Sequence, residues 1–305
     1  MDILCMEHLS KSFGTHKVID ELSFSVPEHT VFGFIGQNGA GKTTTMKMVL
    51  GLLKPSAGRI TVCGEPVSYG QTKTNRFIGY LPDVPEFYGY MRPKEYLGLC
   101  GEITGMPATE IKSKSEELLE LVGLEKANKK IGGFSRGMKQ RLGIAQALLN
   151  SPRLLICDEP TSALDPVGRK EILDILQQVK GKTTVIFSTH ILSDVERICD
   201  QVAVLHAGRL ALSGTLSEIM SCHRRDGLFI EFKSPKDLQT FMSAESIQPL
   251  LSDSTHNGIS LTLHSHELEK AEAAVISVLS GYSLLPSRLE VLEPTLESLF
   301  MEVVA

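Results

Sequence analysis

Apolar and polar residues alternate near the start of the chain, over residues 3–9 and again over residues 18–26. Alternation with a period of two predicts half-buried strands, which we expect to pair antiparallel. Three later segments are apolar almost throughout, VFGFI at residues 31–35, RLLICDEP at 153–160 and TTVIFSTH at 183–190. Continuous apolar runs of this length predict strands that are buried on both faces, as in a parallel sheet.

Helical spacing of apolar residues separates these strands. It follows the first buried strand as far as residue 53, and it recurs over residues 85–150, in ATEIKSKSEELLELVGL and MKQRLGIAQALL. A further strand or hairpin is predicted for QVAVLHAGRLAL, at residues 201–212. Strands separated by helices predict a mainly parallel sheet with a helical insertion.

The pattern changes near residue 221. Residues 222–305 carry six basic and twelve acidic side chains, a net charge of −6. Their periodicity predicts the order strand, helix, strand, strand, helix, strand, which is the split β-α-β pattern, followed by a last helix. The strands are predicted at residues 228–232, 247–252, 259–263 and 283–289, and the helices at 235–242, 266–279 and 294–303. We therefore predict two domains, residues 1–220 and an accessory domain of residues 221–305.

The composition narrows the class of protein. The 305 residues include 42% hydrophobic and 22% charged residues, as in an ordinary globular protein, and the formal net charge is −5. An acidic balance argues against nucleic acid as a partner, because phosphate neutralisation needs a basic surface. The six cysteines form no CxxC pair, and no apolar run reaches the ~18 residues of a membrane span. With no signal-peptide layout at the N-terminus, the sequence predicts a cytoplasmic chain, whose membrane part, if any, belongs to another chain.

The first chemical motif is GQNGAGKT at residues 36–43, which matches the phosphate-binding loop G-x-x-x-x-G-K-[ST] in full. Glycines let backbone N–H groups curl around phosphate oxygens, and the following helix points its positive end at the same anion. Lys42 is predicted to reach the β- and γ-phosphates, and Thr43 to hold Mg²⁺ through its hydroxyl. A glycine-rich turn with a chance lysine is the alternative, and the flanking strand and helix disfavour it.

A second group of candidates follows the later buried strands. Asp158 ends one strand and can hold the Mg²⁺ shell, while Glu159 can polarise an attacking water. His190 ends the next strand and is a candidate γ-phosphate contact or a residue that orients the attacking water. Taken alone, a DE pair or a histidine at a strand end is more often structural, so these predictions depend on the phosphate loop upstream.

The segment FSRGMKQRLGIAQALL, which begins at Phe134, makes the resemblance specific. The chain resembles the ATP-binding subunit of an ABC transporter, because the phosphate loop, this signature segment, ICDEP, SALD and STH occur in the family's order over residues 2–220. Ser135 and Gly137 stand at the serine and second-glycine positions of the family signature LSGGQ. Phe13 stands where the family usually has an aromatic residue that stacks on adenine.

Three positions depart from the family pattern. Arg136 replaces the first glycine of the signature, and Met138 replaces its glutamine. Asp83 stands where the family often has a glutamine that senses Mg²⁺ and water. A carboxylate can still contact Mg²⁺, but it adds negative charge beside the phosphates.

The C-terminal segment EVLEPTLESLFMEVVA resembles the end of ATP-binding subunits of antibiotic-resistance exporters of the daunorubicin and bacitracin type. Its alternative interpretation is an ordinary amphipathic helix, with Leu296, Leu299, Phe300 and Val303 on one face. That face must be buried on its own chain, on another copy or on a membrane subunit.

The resemblance implies an α/β fold, a P-loop NTPase of ABC type with an antiparallel β subdomain, a helical subdomain at about residues 85–150 and a small α+β C-terminal domain. It implies an exporter's ATPase subunit that binds ATP and Mg²⁺, forms a head-to-tail dimer with itself or a paralogous subunit, and lies on the inner membrane face through a separate permease subunit. A soluble ABC-type ATPase acting on ribosomes or DNA is the alternative, which the single phosphate loop and the acidic pI disfavour. The signature segment argues against a P-loop kinase or GTPase.

The implied nucleotide-binding residues are Phe13, Gly36, Asn38, Gly39, Ala40, Gly41, Lys42, Thr43, Thr44, Ser135 and Gly137. The implied catalytic residues are Glu159, His190 and Lys42, and the implied metal ligands are Thr43, Asp158 and Asp83.

Overall fold

The computed structural model describes residues 2–71, 73–222, 227–252, 254–265, 267–292 and 295–304. Within these ranges the chain forms two compact units, one that ends at Leu216 and one that runs from Ser217 to Val303. The predicted helix starts at His266 and Pro294 lie outside the described residues.

The first unit contains both buried and half-buried strands. Its strands are β1 (Asp2–Phe13), β2 (His16–Pro27), β3 (Val31–Ile35), β4 (Ala57–Val62), β5 (Glu65–Pro66), β6 (Ile78–Leu81), β7 (Leu154–Asp158), β8 (Thr184–Thr189), β9 (Gln201–His206) and β10 (Arg209–Thr215). Its helices are α1 (Lys42–Val49), α2 (Pro93–Ile103), α3 (Ala108–Leu121), α4 (Arg136–Leu148), α5 (Pro166–Val179) and α6 (Leu192–Ile198), and α7 (Leu216–Cys222) follows.

The strands of the first unit form two sheets, as the periodicity predicts. One sheet has the order β2-β1-β4-β5 and is antiparallel. The other has the order β10-β9-β3-β8-β7-β6, in which the neighbours are parallel except for the β9–β10 hairpin. Every residue of β3, β7 and β8 is buried. One apolar cluster joins the two sheets, with Leu22 on β2, Phe34 on β3 and Ile186 on β8 among its members.

The predicted helical segment of residues 85–150 becomes helical only at Pro93, and it contains α2, α3 and α4. Proline suits the first turn of α2 because its missing N–H would be unpaired there, and the Glu95 carboxylate accepts a hydrogen bond from the Arg92 N–H at 2.8 Å. Helix α4 begins after Ser135, whose hydroxyl accepts a hydrogen bond from the Met138 N–H at 3.2 Å. The signature segment is therefore the capped N-terminus of a helix.

The second unit has the predicted split β-α-β order. Its elements are β11 (Gly227–Glu231), α8 (Pro235–Met242), α9 (Gln248–Leu251), β12 (Ser254–Asn257), β13 (Ser260–His264), α10 (Leu268–Gly281), β14 (Arg288–Leu292) and α11 (Leu296–Val304). The antiparallel sheet has the order β12-β13-β11-β14. Side chains from β11, β13, α8 and α10 form one apolar cluster, which includes Ile230, Leu263, Phe241 and Val275.

One strand prediction in this unit is wrong, and the start of another is displaced. Residues 247–252, predicted as a strand, contain the short helix α9, and the strand β12 begins only at Ser254. Pro249 has no N–H for a sheet, while Ile247, Leu250 and Leu251 have the i, i+3, i+4 spacing of a helix face. The strand predicted at residues 283–289 begins only at Arg288, as β14, and Ser283 itself is not extended, with a left-handed φ of 53°.

The last helix, α11, buries its apolar face within this chain. The side chains of Leu296 and Leu299 are each 1% exposed, and Phe300 is half-buried. The side chain of Val303 lies outside the described part of the structure. Another copy or a membrane subunit is therefore not needed to cover Leu296 and Leu299.

The cysteines of the described residues are free thiols. Cys157 and Cys199 are buried, and Cys5, Cys63 and Cys100 are half-buried. Burial raises the pKa of Cys157 and of Cys199 well above the usual thiol range, so both are neutral at physiological pH. The side chain of Cys222 lies outside the described residues. Among the helices within the described ranges, none is long and apolar enough to cross a bilayer.

Gly79 on β6 allows the close approach of α4 to the sheet. A Cβ atom added there would lie 2.1 Å from the Ala147 carbonyl oxygen. Because that oxygen belongs to the backbone, Gly79→Ala should force β6 and α4 apart and lower the free energy of unfolding by about 1–3 kcal/mol. Thermal denaturation measures the effect.

The matched control is Gly98→Ala on α2, where an added Cβ meets no atom within 4 Å. Alanine favours a helix over glycine by about 1 kcal/mol, so this variant should unfold at the same or a higher temperature. Equal melting temperatures for Gly79→Ala and the wild-type protein would contradict the packing argument.

Candidate functional site

The strands β3, β7 and β8 end at one edge of the parallel sheet. In the registers of these pairs, Ile35 lies opposite Thr189, and Asp158 lies opposite Ser188. The chain leaves this edge as the loop of residues 36–41, as Glu159 and as His190. Ligands of open α/β sheets bind outside the carboxyl ends of the strands, so the sheet places the predicted residues where such a site is built.

The loop of residues 36–41 has the backbone of an anion cradle. Gly39 and Gly41 have left-handed φ angles of 84° and 110°, which glycine adopts without strain. At Gly36, an added Cβ would lie 2.6 Å from the Leu205 carbonyl oxygen, so only glycine fits. Among the described residues, no side chain caps α1, and its first turn has no acidic residue. The amides at the start of α1 are therefore available to an anion.

Lys42 is the first residue of α1, and its side chain is only 6% exposed. Its ammonium group donates hydrogen bonds to the carbonyl oxygens of Gly36, at 2.7 Å, and Gln37, at 3.3 Å. It also lies 3.1 Å from the Glu159 carboxylate in an ion pair. The charge of Lys42 is thus held at the centre of the loop.

Asp158 is buried at the end of β7, and both of its carboxylate oxygens accept hydrogen bonds. The Thr43 hydroxyl donates to one at 2.8 Å, and the Ser188 hydroxyl to the other at 2.5 Å. Oxygen atoms of a hydroxyl and a carboxylate are the ligands that Mg²⁺ prefers. Burial and the nearby Asp158 charge raise the pKa of Tyr80 to about 12, so this phenol is neutral at physiological pH.

Glu159 connects Lys42 with His190. One carboxylate oxygen pairs with Lys42, and the other lies 2.9 Å from the Nδ1 atom of His190. The Glu159 backbone has a left-handed φ of 49° and donates its N–H to the Ser188 carbonyl oxygen at 3.0 Å. A non-glycine residue in this conformation carries a conformational cost of order 1–3 kcal/mol, and such residues cluster at functional sites.

The other predicted nucleotide contacts lie on three parts of the chain: β1, the loop of residues 36–41 with the first turn of α1, and the start of α4. Phe13 ends β1 with its ring 51% exposed and the Lys11 ammonium 4.8 Å from the ring centroid. Asn38 and Ala40 lie within the loop, and Thr44 lies in the first turn of α1. Ser135 and Gly137 lie at the N-terminus of α4; the Ser135 hydroxyl accepts from Met138, and no hydrogen bond within the described residues joins it to Lys42 or Glu159.

Asp83 does not join the Thr43–Asp158 pair. Its carboxylate accepts hydrogen bonds from Arg136, at 3.3 Å, and from the Ser162 hydroxyl, at 3.0 Å. Ligation of a metal by Asp83 therefore stays a prediction without geometric support.

Three residues with contacts in this region were not predicted from the sequence. Ser188 donates a hydrogen bond to the Asp158 carboxylate, and Ser162 and Gln140 donate to the carboxylate and the carbonyl oxygen of Asp83. Ser188 and Ser162 belong to the STH and SALD segments but received no role. The available signal was a polar residue at an otherwise apolar strand end for Ser188, and a polar residue at a helix position that faces the core for Gln140.

Comparisons with known proteins identify the family of this chain. The family model for the ABC transporter matches residues 19–162. The chain is 36% identical to the bacitracin transport ATP-binding protein BcrA of Bacillus licheniformis over 97% of this chain and 95% of that protein. It is 33% identical to the linearmycin resistance ATP-binding protein LnrL of Bacillus subtilis (strain 168) over 99% of this chain and 98% of that protein.

A solved structure shares the fold of the first unit. It is cbiO1 from Clostridium perfringens, described as part of the ABC transporter complex cbiONQ, with 29% identity and a TM-score of 0.67 over 72% of this chain and 91% of that one. These relationships show that the chain belongs to the ATP-binding proteins of ABC transporters. The predicted ABC-type P-loop fold and the predicted resemblance to the antibiotic-resistance subfamily are confirmed.

Ser188 donates a hydrogen bond to the Asp158 carboxylate, so its hydroxyl should affect Mg²⁺ binding if Asp158 is the predicted metal ligand. We expect Ser188→Ala to raise the Mg²⁺ concentration for half-maximal nucleotide binding by about 10–100-fold, as loss of an outer hydrogen-bond partner does at metal sites. Titration of Mg²⁺ against a fluorescent ATP analogue measures this shift. Ser115→Ala on α3 also removes a buried hydroxyl and should leave the titration unchanged. A wild-type Mg²⁺ requirement for Ser188→Ala would contradict the role of Ser188.

Proposed function

We propose that this chain is a Mg²⁺-dependent ATPase subunit that drives a separate membrane permease, in an exporter. The observation that carries the proposal is the convergence of Lys42, Thr43, Asp158, Glu159 and His190 at one sheet edge. The relatives named for bacitracin transport and linearmycin resistance support the direction and the transport role.

Binding of ATP begins at the phosphate loop. The N–H groups of Gly39 and of residues 41–44 and the positive end of α1 attract the phosphates, while the Ala40 N–H closes the turn to Gln37. Lys42 exchanges its ion pair with Glu159 for the β- and γ-phosphate oxygens. This exchange leaves one Glu159 oxygen able to accept a proton.

The Thr43 hydroxyl and the Asp158 carboxylate fit a Mg²⁺ ion, with Ser188 fixing the second Asp158 oxygen. Within the described residues, no cluster of three or more His, Cys, Asp or Glu side chains could hold a metal. The Thr43–Asp158 pair suits Mg²⁺, which binds one or two protein groups together with substrate phosphates. When bound, the ion neutralises charge on the phosphates.

Glu159 then acts as the general base for hydrolysis. It accepts a proton from water as the water oxygen forms a bond to the γ-phosphorus, while the bond from that phosphorus to the bridging oxygen of ADP breaks. His190, at 2.9 Å from Glu159, holds the carboxylate in place. The proton leaves Glu159 with the phosphate product.

Ser135 and Gly137 serve a second copy in this proposal. Within the described residues, no hydrogen bond joins Ser135 to Lys42 or Glu159, and two ATP-binding chains that pair head to tail would let α4 of one chain point its positive N-terminus at the γ-phosphate bound by the other. The partner is a second copy or a paralogous subunit. Closure on ATP and reopening after hydrolysis would move the permease, which we place against the segment of residues 85–150.

The proposed location is the cytoplasmic face of the cell membrane, through the permease, and we propose no nucleic-acid partner. Residues 221–305 form an accessory domain in this proposal, since its excess of acidic side chains disfavours phosphate binding.

Glu159→Gln should keep ATP binding, slow hydrolysis by about 10²-fold or more, and trap a dimer, because the amide cannot accept the proton from water. Phosphate release and size-exclusion chromatography with ATP measure both effects. Glu110→Gln, an exposed carboxylate on α3, is the matched control and should behave as wild type. Lys42→Ala should lose nucleotide binding. Wild-type hydrolysis by Glu159→Gln would overturn the role of Glu159.

A chain shortened to residues 1–215, which ends with β10, should bind ATP with unchanged affinity. All proposed nucleotide contacts lie between Phe13 and His190, and the unit that contains them is compact by itself. Assembly with the permease or dimerisation should weaken if the removed residues contact a partner. Loss of ATP binding by a shortened chain that keeps its circular-dichroism spectrum would contradict an accessory role.

A further inference from the structure

Asp83 is held at two points by one face of α4. The buried side chain of Gln140 donates a hydrogen bond to the Asp83 carbonyl oxygen at 2.8 Å, and Arg136 donates to its carboxylate at 3.3 Å. Residues four apart on a helix lie one above the other, so Arg136 and Gln140 both form hydrogen bonds to Asp83 from successive turns of α4. Both the backbone and the side chain of Asp83 are thereby tied to α4.

One turn further along the same face of α4, Gly143 allows the segment of residues 81–85 to lie close against the helix. A Cβ atom added to Gly143 would lie 2.5 Å from the Leu81 side chain and 3.4 Å from that of Pro85. The segment of residues 81–85 therefore lies directly on α4 along three turns. A displacement of α4 must carry Asp83 with it.

The second connection of Asp83 runs to the loop that carries Glu159. The Ser162 hydroxyl donates to the Asp83 carboxylate at 3.0 Å and accepts from Arg136 at 3.2 Å. The Ser162 N–H donates to the Glu159 carbonyl oxygen at 3.1 Å, which closes a turn. Asp83, Arg136 and Ser162 form a three-way contact, which we name the Asp83 cluster, between the start of α4 and the Glu159 loop.

The charges of the cluster cancel. Asp83 and Arg136 are two of the positions at which the sequence departs from the family pattern, one toward an acid and the other toward a base. Their side chains are 47% and 44% exposed, and exposed ion pairs contribute little to stability. The contribution of the cluster is therefore orientation, since a guanidinium holds a carboxylate and a hydroxyl in a fixed plane.

We propose that Asp83 is a positioning residue that couples the two ATP sites of the dimer and is not a metal ligand. The inference rests on the proposed function, in which Glu159 acts on the nucleotide of its own chain and Ser135 with Gly137 on that of the partner. Because the Asp83 cluster joins the Glu159 loop to the start of α4, a change at one site is transmitted to the other.

A double-mutant cycle with Asp83→Asn and Arg136→Gln tests the proposal in the full chain. Each single variant should lower kcat about tenfold, the scale of coupling between contacting residues, and should make the rate depend non-cooperatively on ATP concentration. KM for Mg²⁺ and the melting temperature should stay at wild-type values. The double variant should be no slower than either single variant, because the ion pair between Asp83 and Arg136 is lost in all three.

Lys139→Gln is the matched control, since it removes a positive charge from the same turn of α4, and within the described residues no hydrogen bond or ion pair joins Lys139 to Asp83. It should keep wild-type kcat and cooperativity. A tenfold higher Mg²⁺ requirement in Asp83→Asn, with no effect of Arg136→Gln, would overturn the proposal in favour of a metal ligand. Additive losses in the double variant would overturn it as well.

The Glu159→Gln variant separates this inference from the proposed function. If that variant is slow and dimeric with ATP while Asp83→Asn and Arg136→Gln retain wild-type kcat and cooperativity, the coupling role fails alone. If the wild-type chain hydrolyses no ATP, the proposed function fails and the inference fails with it.

Discussion

The parallel pairing of β3, β8 and β7 is the constraint on which the site depends. Its register places Ile35 opposite Thr189 and Ser188 opposite Asp158, so three separate stretches of chain leave the sheet at the same level. Every residue of these strands is buried. A shift in register by one residue would point the side chains of a strand toward the opposite face of the sheet. The apolar pattern that stabilises the sheet therefore also fixes where Lys42, Asp158 and Glu159 meet.

The buried ammonium group of Lys42 shows how the site balances charge. Removal of a charge from water is costly unless it is paired and hydrogen-bonded. Two carbonyl oxygens and the Glu159 carboxylate stabilise Lys42, and all three come from segments that end at the sheet edge. Glu159 is shared with His190, so the groups expected to bind phosphate and to activate water are already connected in one chain of contacts.

Much of this arrangement could be predicted from the sequence, because it follows from local patterns. Uninterrupted apolar runs identified the buried strands, and glycines followed by Lys42 and Thr43 identified the phosphate loop. The prediction of a strand at residues 247–252 was wrong because it relied on the apolar residues Ile247, Leu250 and Leu251, although Pro249 cannot donate a hydrogen bond within a sheet. The contacts of Asp83 could not be predicted, since they join residues that lie 53 and 79 positions apart in the chain. No local pattern contains the side-chain geometry that turns Asp83 toward Arg136.

The exposed ring of Phe13 has a consequence for the choice of nucleotide. Within the proposed function, this ring meets the base by stacking, and every purine offers a similar π-face. The remaining proposed contacts, from Gly36 to His190, are directed at the triphosphate and the metal. Such a site discriminates between phosphate chains of different length and charge far more strictly than between different bases. Within the proposed function, the chain would then hydrolyse GTP as well as ATP.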